Sequence, residues 1–356
     1  MLEVTVVNII AVLIAFYGCW QNRRQPLLIP CLLLAIFFSL RYNYTMDYSA
    51  YSRMFFYFNI YDNIDYAPQY RSVEIGWKIL NRLCRPMGFQ FLVALTTFFQ
   101  FGTFYWFVNR FVRKKWRWIM LFFYVVDPWY MLMGLSAMRQ TVAMSLIMLS
   151  VPSILKKKVL TAGLFWLLAF SFHKSAIIAL PFIFAGYLNP ARWKAVTVTE
   201  IVIIALSMFA PLAIVTLVSN SIDLGGMEKY SIYLTHGKAA QLETGFGFLF
   251  RMIFVGYLLS KLRYLNRQMY TFDSIYVLNL AFIFLGLVGV YFGRLGWYFT
   301  WIGMPALLIF VEKWRASLVG RTIFILYCLI EVWTYFRFFT DFFPDGFLHY
   351  QSIITN

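Results

Sequence analysis

The sequence predicts an all-α polytopic integral membrane protein that forms a single domain over residues 1–356. Hydrophobic residues make up 62% of the chain and charged residues only 13%, which is more apolar than is usual for a soluble globular protein. Many apolar runs approach the length that an α-helix needs to cross the bilayer, and no long polar segment separates them. We therefore expect about twelve transmembrane helices and no separate soluble domain.

The predicted spans follow these apolar runs. In order they are 4–20, 27–40, 89–109, 118–134, 138–155, 159–172, 175–188, 195–218, 247–260, 273–291, 297–311 and 322–336. The run from Met1 to Trp20 lacks the basic start and the small-residue cleavage site of a secretory signal, so we expect it to be retained as the first helix. The four cysteines have neither metal-ligand nor disulfide spacing and are expected to be core residues.

Positive charge orients these helices, because every second connection between predicted spans is basic. The basic connections contain Arg23 and Arg24; Arg110, Arg113, Lys114, Lys115 and Arg117; Lys156 to Lys158; Arg192 and Lys194; Lys261, Arg263 and Arg267; and Lys313, Arg315 and Arg321. They hold more than half of the 31 lysines and arginines, and the positive-inside rule assigns them to the cytoplasmic side. The net charge of +16 is therefore mostly a topology signal, and we expect no nucleic-acid partner.

The remaining basic residues fall on the outer side, where the same rule disfavours them. The two longest connections also lie there, an amphipathic loop at 41–88 and a second loop at 219–246. Arg139 begins the fifth predicted span and His173 ends the sixth, so the tight lysine turn between these spans returns both residues to the outer face. Ionisable side chains at membrane depth are costly unless they are paired or face water, which makes them candidates for a functional site.

Five short motifs extend this pattern over most of the chain. They are MDYSAY at 46–51, VEIGW at 73–77, MRQTVA at 138–143, SFHKSAIIALP at 171–181 and GRLGWYF at 293–299. Their order and topological place resemble the EpsG family, the Wzy-type polymerases of bacterial O-antigens and exopolysaccharides. No motif is matched after Tyr335 or in the loop 219–246. The resemblance implies a GT-C-like glycosyltransferase architecture in the bacterial inner membrane, with the active site facing the periplasm.

The resemblance also implies a reaction between two glycans linked to undecaprenyl pyrophosphate. The growing glycan would leave its lipid carrier and join the non-reducing end of a new repeat unit. Such a transfer needs a base near the attacking hydroxyl, cations against the pyrophosphate, and a polar, aromatic groove for sugars. The implied partners are the lipid-linked glycans, membrane lipids and a protein that regulates chain length.

Candidate residues exist for each requirement. His173 is the first choice for the base, with Asp47 or Glu74 as alternatives. Arg139 and Arg294 are the candidate pyrophosphate ligands, because a guanidinium stays charged and binds phosphate oxygens in pairs, although an ion pair with a nearby acid is the alternative for each. The candidate substrate-binding residues are Asp47, Tyr48, Tyr51, Arg71, Glu74, Gln140, Lys174, Ser175, Arg251 and Tyr298.

Other chemistries find little support in the sequence. It has no metal-ligand spacing on the outer side and no nucleotide-binding glycine motif, so we expect a metal-independent reaction without a cofactor. Two alternatives stay open, a transporter or flippase for lipid-linked sugars and an O-antigen ligase-like transferase. The sugars, their linkage and the oligomeric state are not predicted.

Overall fold

The computed structural model describes residues 1–60, 73–129, 131–187 and 317–354, with short pieces at 202, 296–299 and 302. Arg71, Arg251 and Arg294 lie outside the described residues. So do the loop 219–246 and most of the predicted spans between 195 and 311.

Helices provide the regular structure of the described ranges, which contain no β-strand. The α-helices are α1 (Leu2–Trp20), α2 (Leu28–Ser39), α3 (Tyr48–Ile60), α4 (Ile75–Cys84), α5 (Phe89–Phe111), α6 (Arg117–Val126), α7 (Met131–Ser136), α8 (Met138–Leu155), α9 (Val159–Phe172), α10 (Leu318–Arg337) and α11 (Pro344–Phe347). Short 3₁₀ helices cover Arg85–Met87, Lys114–Trp116, Lys174–Ala179 and Pro181–Tyr187, and a π-helical turn covers Phe338–Phe342.

Within the described ranges, four helical segments are long and apolar enough to cross a membrane. They are Leu2–Trp20, Phe89–Phe111, Met138–Leu155 and Leu318–Asp341. The described part of the chain is thus that of a polytopic α-helical membrane protein, as the composition predicted.

The hairpin of α8 and α9 has the predicted bounds, because the lysines that interrupt the apolar run also end the helices. Lys157, at the centre of that turn, has a positive φ of 58°. Two other predicted spans take a different form. The segment 118–134 is two helices, since Pro128 disfavours a helical conformation for Asp127, whose ψ is 93°. The segment 175–188 is two 3₁₀ helices that meet at Pro181.

The chain divides into two compact units. The first contains residues 1–153, 158–180 and 328–356, and the second contains 154–157 and 181–327. In the first unit α2 packs along α5, and α1 packs against α2 and α6. The described candidate residues all belong to this first unit, except Tyr298.

The described part of the predicted outer loop 41–88 is folded around a small apolar core. This core joins α3 and α4 to the first turns of α5 and α8, and we call it the outer core. Its buried members are Tyr48, Tyr51, Met54, Phe55, Phe58, Val73, Trp77, Cys84, Phe89, Leu92, Val93 and Met138. Burial of aromatic side chains on this scale fixes α4 against the membrane-spanning helices.

The C-terminal segment after α10 packs on the connection between α2 and α3. The Tyr42 amide donates to the Gln351 carbonyl at 2.9 Å, and the Ile353 amide donates to the Leu40 carbonyl at 2.9 Å. The Tyr350 ring stacks on Phe37 with 4.3 Å between ring centroids. This segment carried no recognisable motif, yet its hydrogen bonds hold the chain just before α3 in place.

Candidate active site

A single carboxylate, that of Glu74, joins three elements of the first unit on its predicted outer side. Glu74 stands immediately before α4, and its Oε2 atom accepts a hydrogen bond from Nη1 of Arg139 at 2.7 Å. Its other oxygen, Oε1, accepts from the backbone amide of Lys174 at 3.1 Å. Arg139 lies in the first turn of α8 and Lys174 follows the end of α9, so both ends of the hairpin reach the same carboxylate.

The ion pair is partly accessible to solvent. The Arg139 side chain is 23% exposed and the Glu74 side chain 9% exposed. No hydrogen-bond partner of the Arg139 Nε atom is present among the described residues. A guanidinium has five N–H donors, so the solvent-accessible part of Arg139 can donate to an anion beyond its contact with Glu74.

The Tyr51 ring packs against the guanidinium of Arg139. The Arg139 Cζ atom lies 5.9 Å from the centroid of the Tyr51 ring, within the range of a cation–π contact. The same ring meets Trp77 edge to face, with 5.3 Å between centroids. Burial raises the pKa of the Tyr51 phenol, and the charge of Arg139 opposes that rise. Tyr51 thus contacts both the outer core and Arg139, so the packing of the core fixes the ring on which the guanidinium rests.

The end of α9 sets the geometry of His173. The residue leaves the helix in an extended conformation, with φ −155° and ψ 120°. Its Nδ1 atom lies 2.6 Å from Oγ of Ser175 and accepts from the Ser175 amide at 3.3 Å. A backbone amide can only donate, so Nδ1 is unprotonated here and the neutral ring carries its proton on Nε2.

Gly76 explains why α4 can approach α9 closely enough for the Lys174 amide to reach Glu74. A Cβ atom at this position would lie 2.6 Å from Oγ and 2.8 Å from the carbonyl oxygen of Ser171. Both distances are shorter than any ordinary contact of a Cβ atom, and the second involves backbone that cannot rotate away. The glycine of the VEIGW motif is therefore required by packing.

These contacts bring together residues from four of the quoted motifs, and a family comparison agrees with them. The model of the EpsG family matches residues 26–352. The chain belongs to the EpsG family. Comparisons with curated proteins and with solved structures give no significant match. The family indicates a polymerase-type role in exopolysaccharide or O-antigen synthesis, and its match extends through the C-terminal segment that packs beside α3.

Two further candidates in this EpsG protein lie at the start of α3. Asp47 is half-buried and its backbone amide donates to Oγ of Ser136 at 3.1 Å. In the described ranges its carboxylate has no hydrogen bond or ion pair, although it lies near enough to Tyr51 to raise the pKa of that phenol. Tyr48 is buried, and its hydroxyl donates to Oε1 of Gln90 at 3.0 Å. That hydrogen bond favours a packing role for Tyr48.

The remaining described candidates are buried. Gln140 follows Arg139 in α8 and faces the protein interior. Tyr298 is buried in the second unit. Arg71, Arg251 and Arg294 were placed near the same site by sequence reasoning and lie outside the described residues. Among the described residues no group of three histidine, cysteine, aspartate or glutamate side chains is arranged to hold a metal ion.

Arg41 is an outer-side arginine whose role could not be inferred from the sequence. Its side chain is only 1% exposed. It donates to the carbonyls of Phe38 at 2.7 Å and Leu135 at 3.1 Å, and to Oγ1 of Thr97 at 2.6 Å. These carbonyls belong to the last turns of α2 and α7, where the helix dipole favours a cation. Burial lowers the pKa of Arg41 to about 10.

Proposed function

We propose that this protein is a metal-independent, Wzy-type polymerase of the bacterial inner membrane. It would transfer the growing glycan from undecaprenyl pyrophosphate to the non-reducing end of a lipid-linked repeat unit at the periplasmic face. The convergence of the motifs on Glu74 carries this proposal. Tyr51, Glu74, Arg139 and Lys174 come from four separate motifs and are joined by one carboxylate and one aromatic ring.

Arg139 is the proposed pyrophosphate ligand. As the bond between the anomeric carbon and the pyrophosphate breaks, negative charge grows on the leaving oxygens, and a fixed guanidinium stabilises it. Glu74 holds one terminal nitrogen of Arg139, so the side chain is oriented before substrate arrives. Arg294 and Arg251 are proposed to add further positive charge.

The geometry of His173 favours a donor over a base. In its neutral form the unprotonated atom, Nδ1, already accepts from Ser175, and the proton is on Nε2. Both Glu74 oxygens are also engaged. We therefore assign the base to Asp47, which takes the proton of the attacking sugar hydroxyl, and assign to His173 an N–H that donates to the glycan or the pyrophosphate.

Polymer formation by the purified protein tests the reaction. The protein in nanodiscs receives its authentic lipid-linked repeat unit in the presence of EDTA, and the product is resolved as a ladder on a gel. Arg139→Ala should lower the initial rate by about 100-fold or more. Arg337→Ala is the matched control, because Arg337 also pairs with a carboxylate at 2.7 Å, in this case Asp341. No ladder from folded wild-type protein would instead favour a transporter or a ligase-like transferase.

Substitutions at Asp47 and His173 separate the two candidate bases. Asp47→Asn should lower the rate by about 100-fold. His173→Gln keeps a donor but no base, so it should retain far more activity than His173→Ala. If Asp47→Asn kept most of its activity while His173→Gln lost it, the base would be His173, as the motif first suggested.

A further inference from the structure

The outward face of α4 is an apolar stripe that stays exposed among the residues that the structure describes. Ile75, Ile79 and Leu83 are 61%, 50% and 66% exposed, and their spacing of four residues places them in one row along the helix. Met87, just beyond the helix, is also exposed. The opposite side of the helix is buried in the outer core. We call this row the α4 stripe.

Positive charge borders the α4 stripe on one side. Lys78 and Arg82 precede Ile79 and Leu83 by one residue each, which places them about 100° away around the helix. Arg85 follows the last turn, and the helix contains no acidic residue. A row of large aliphatic side chains flanked by cations is the pattern of a helix that lies in the interface of an anionic membrane.

The connection to α5 brings the stripe to the membrane surface. Only residues 85–88 separate α4 from α5, and Phe89–Phe111 is long and apolar enough to span the bilayer. The first turns of α5 also expose Phe91 and Leu95. The exposed apolar surface at the end of α4 is therefore close to the exposed apolar surface at the start of α5, a helix able to span the membrane.

We infer that α4 lies on the outer leaflet, with the α4 stripe in the boundary between headgroups and acyl chains and with Lys78, Arg82 and Arg85 against anionic phospholipid headgroups. Glu74 is the residue before the first turn of α4, so this placement holds Glu74 and its partner Arg139 near the depth of the lipid phosphates. The lipid contact does not depend on the proposed glycosyl transfer.

Site-specific photocrosslinking in nanodiscs tests the lipid contact. The photoreactive residue p-benzoylphenylalanine is placed at Ile79 or Leu83, and adducts are identified by mass spectrometry after irradiation. Leu80 is the matched control, because it lies on the same helix but packs against the outer core. Phe172, which also packs there, replaces it as the control if the Leu80 variant does not fold. We expect phospholipid adducts at Ile79 and Leu83 and at least tenfold fewer at the control.

Two results would overturn the inference. The absence of lipid adducts at both Ile79 and Leu83 in folded protein would show that the stripe faces water. Adducts to a second copy of the chain would show that it is a protein interface.

In nanodiscs with equal amounts of phosphatidylglycerol and phosphatidylcholine, we expect the anionic lipid to predominate. The double substitution Lys78→Gln, Arg82→Gln should reduce that preference several-fold, and an unchanged preference would refute the role of the cations.

Discussion

Replacing Gly76 with alanine should separate α4 from α9 and weaken the candidate active site. The added Cβ atom would lie 2.8 Å from the Ser171 carbonyl oxygen, so the helices must move apart by a few tenths of an ångström. Overpacking of this kind costs about 1–3 kcal/mol. Alanine in place of a helical glycine returns about 0.5–1 kcal/mol. The net loss of folding free energy is therefore at most about 2.5 kcal/mol.

Gly163 provides the matched control for this substitution. It lies in α9, the helix that Gly76 approaches, and a Cβ atom there would have nothing within 4 Å. Gly163→Ala should therefore stabilise the protein by up to about 1 kcal/mol. Thermal unfolding in nanodiscs measures both changes, with a decrease of about 1–4 °C expected for Gly76→Ala and a small increase for Gly163→Ala.

A second substitution shows which atoms cause the effect. Ser171→Ala removes the hydroxyl 2.6 Å from the added Cβ atom but leaves the carbonyl at 2.8 Å, so it should restore only part of the stability that Gly76→Ala loses. Polymer formation should fall with Gly76→Ala, because the Lys174 amide would move away from Glu74. Unfolding at the wild-type temperature, with full activity, would refute the close approach of the two helices.

Three other substitutions test the surrounding contacts. Arg41→Met leaves two helix-end carbonyls without their donor and should cost roughly 2–5 kcal/mol, whereas Thr97→Val should cost about 1 kcal/mol; equal unfolding temperatures for the two variants would refute the capping role. Glu74→Gln should lower the unfolding free energy by about 1–3 kcal/mol and reduce polymer formation, because Arg139 loses its counter-charge; a fully active and stable variant would contradict this. Tyr51→Phe should leave the pH profile between about pH 6 and 9 unchanged, since the raised pKa keeps the phenol neutral there, and a shifted profile would show that the phenol takes part in proton transfer.

Sequence patterns predicted the α8–α9 hairpin well, because its signals are local. An apolar run bounded by lysines specifies both helices and the turn between them. The break inside 118–134 was also signalled locally, by Pro128, although the hydropathy of the segment favoured one continuous span. The 3₁₀ form of 174–187 was less predictable, since short helices of either type share the same composition.

The contacts of the candidate site could not be read from the sequence. Glu74 and Arg139 are 65 residues apart, and their pairing depends on how α4 packs against α9. An ion pair with a nearby acid was the alternative role for Arg139, and the structure contains such a pair, with Glu74. The pair is compatible with phosphate binding, because the Arg139 side chain is 23% exposed and a guanidinium has five N–H donors. The Ser175 amide determines which nitrogen of the neutral His173 ring carries the proton, and this contact could be recognised only from the atomic positions.

The contrast between Arg41 and Arg139 shows that the number of cations on the predicted outer side overestimates how many of them can bind an anion. Both arginines fall on the predicted outer side, where the topology rule disfavours positive charge, and charge alone does not distinguish them. Arg41 is 1% exposed and is held by backbone carbonyls and a hydroxyl, so a phosphate could reach it only by unfolding two helix ends. Arg139 is 23% exposed and is held by the Glu74 carboxylate and Tyr51, so an incoming phosphate can join these contacts from the solvent-accessible side. Burial and the identity of the acceptor, rather than charge alone, therefore decide which arginine can serve a lipid-linked pyrophosphate.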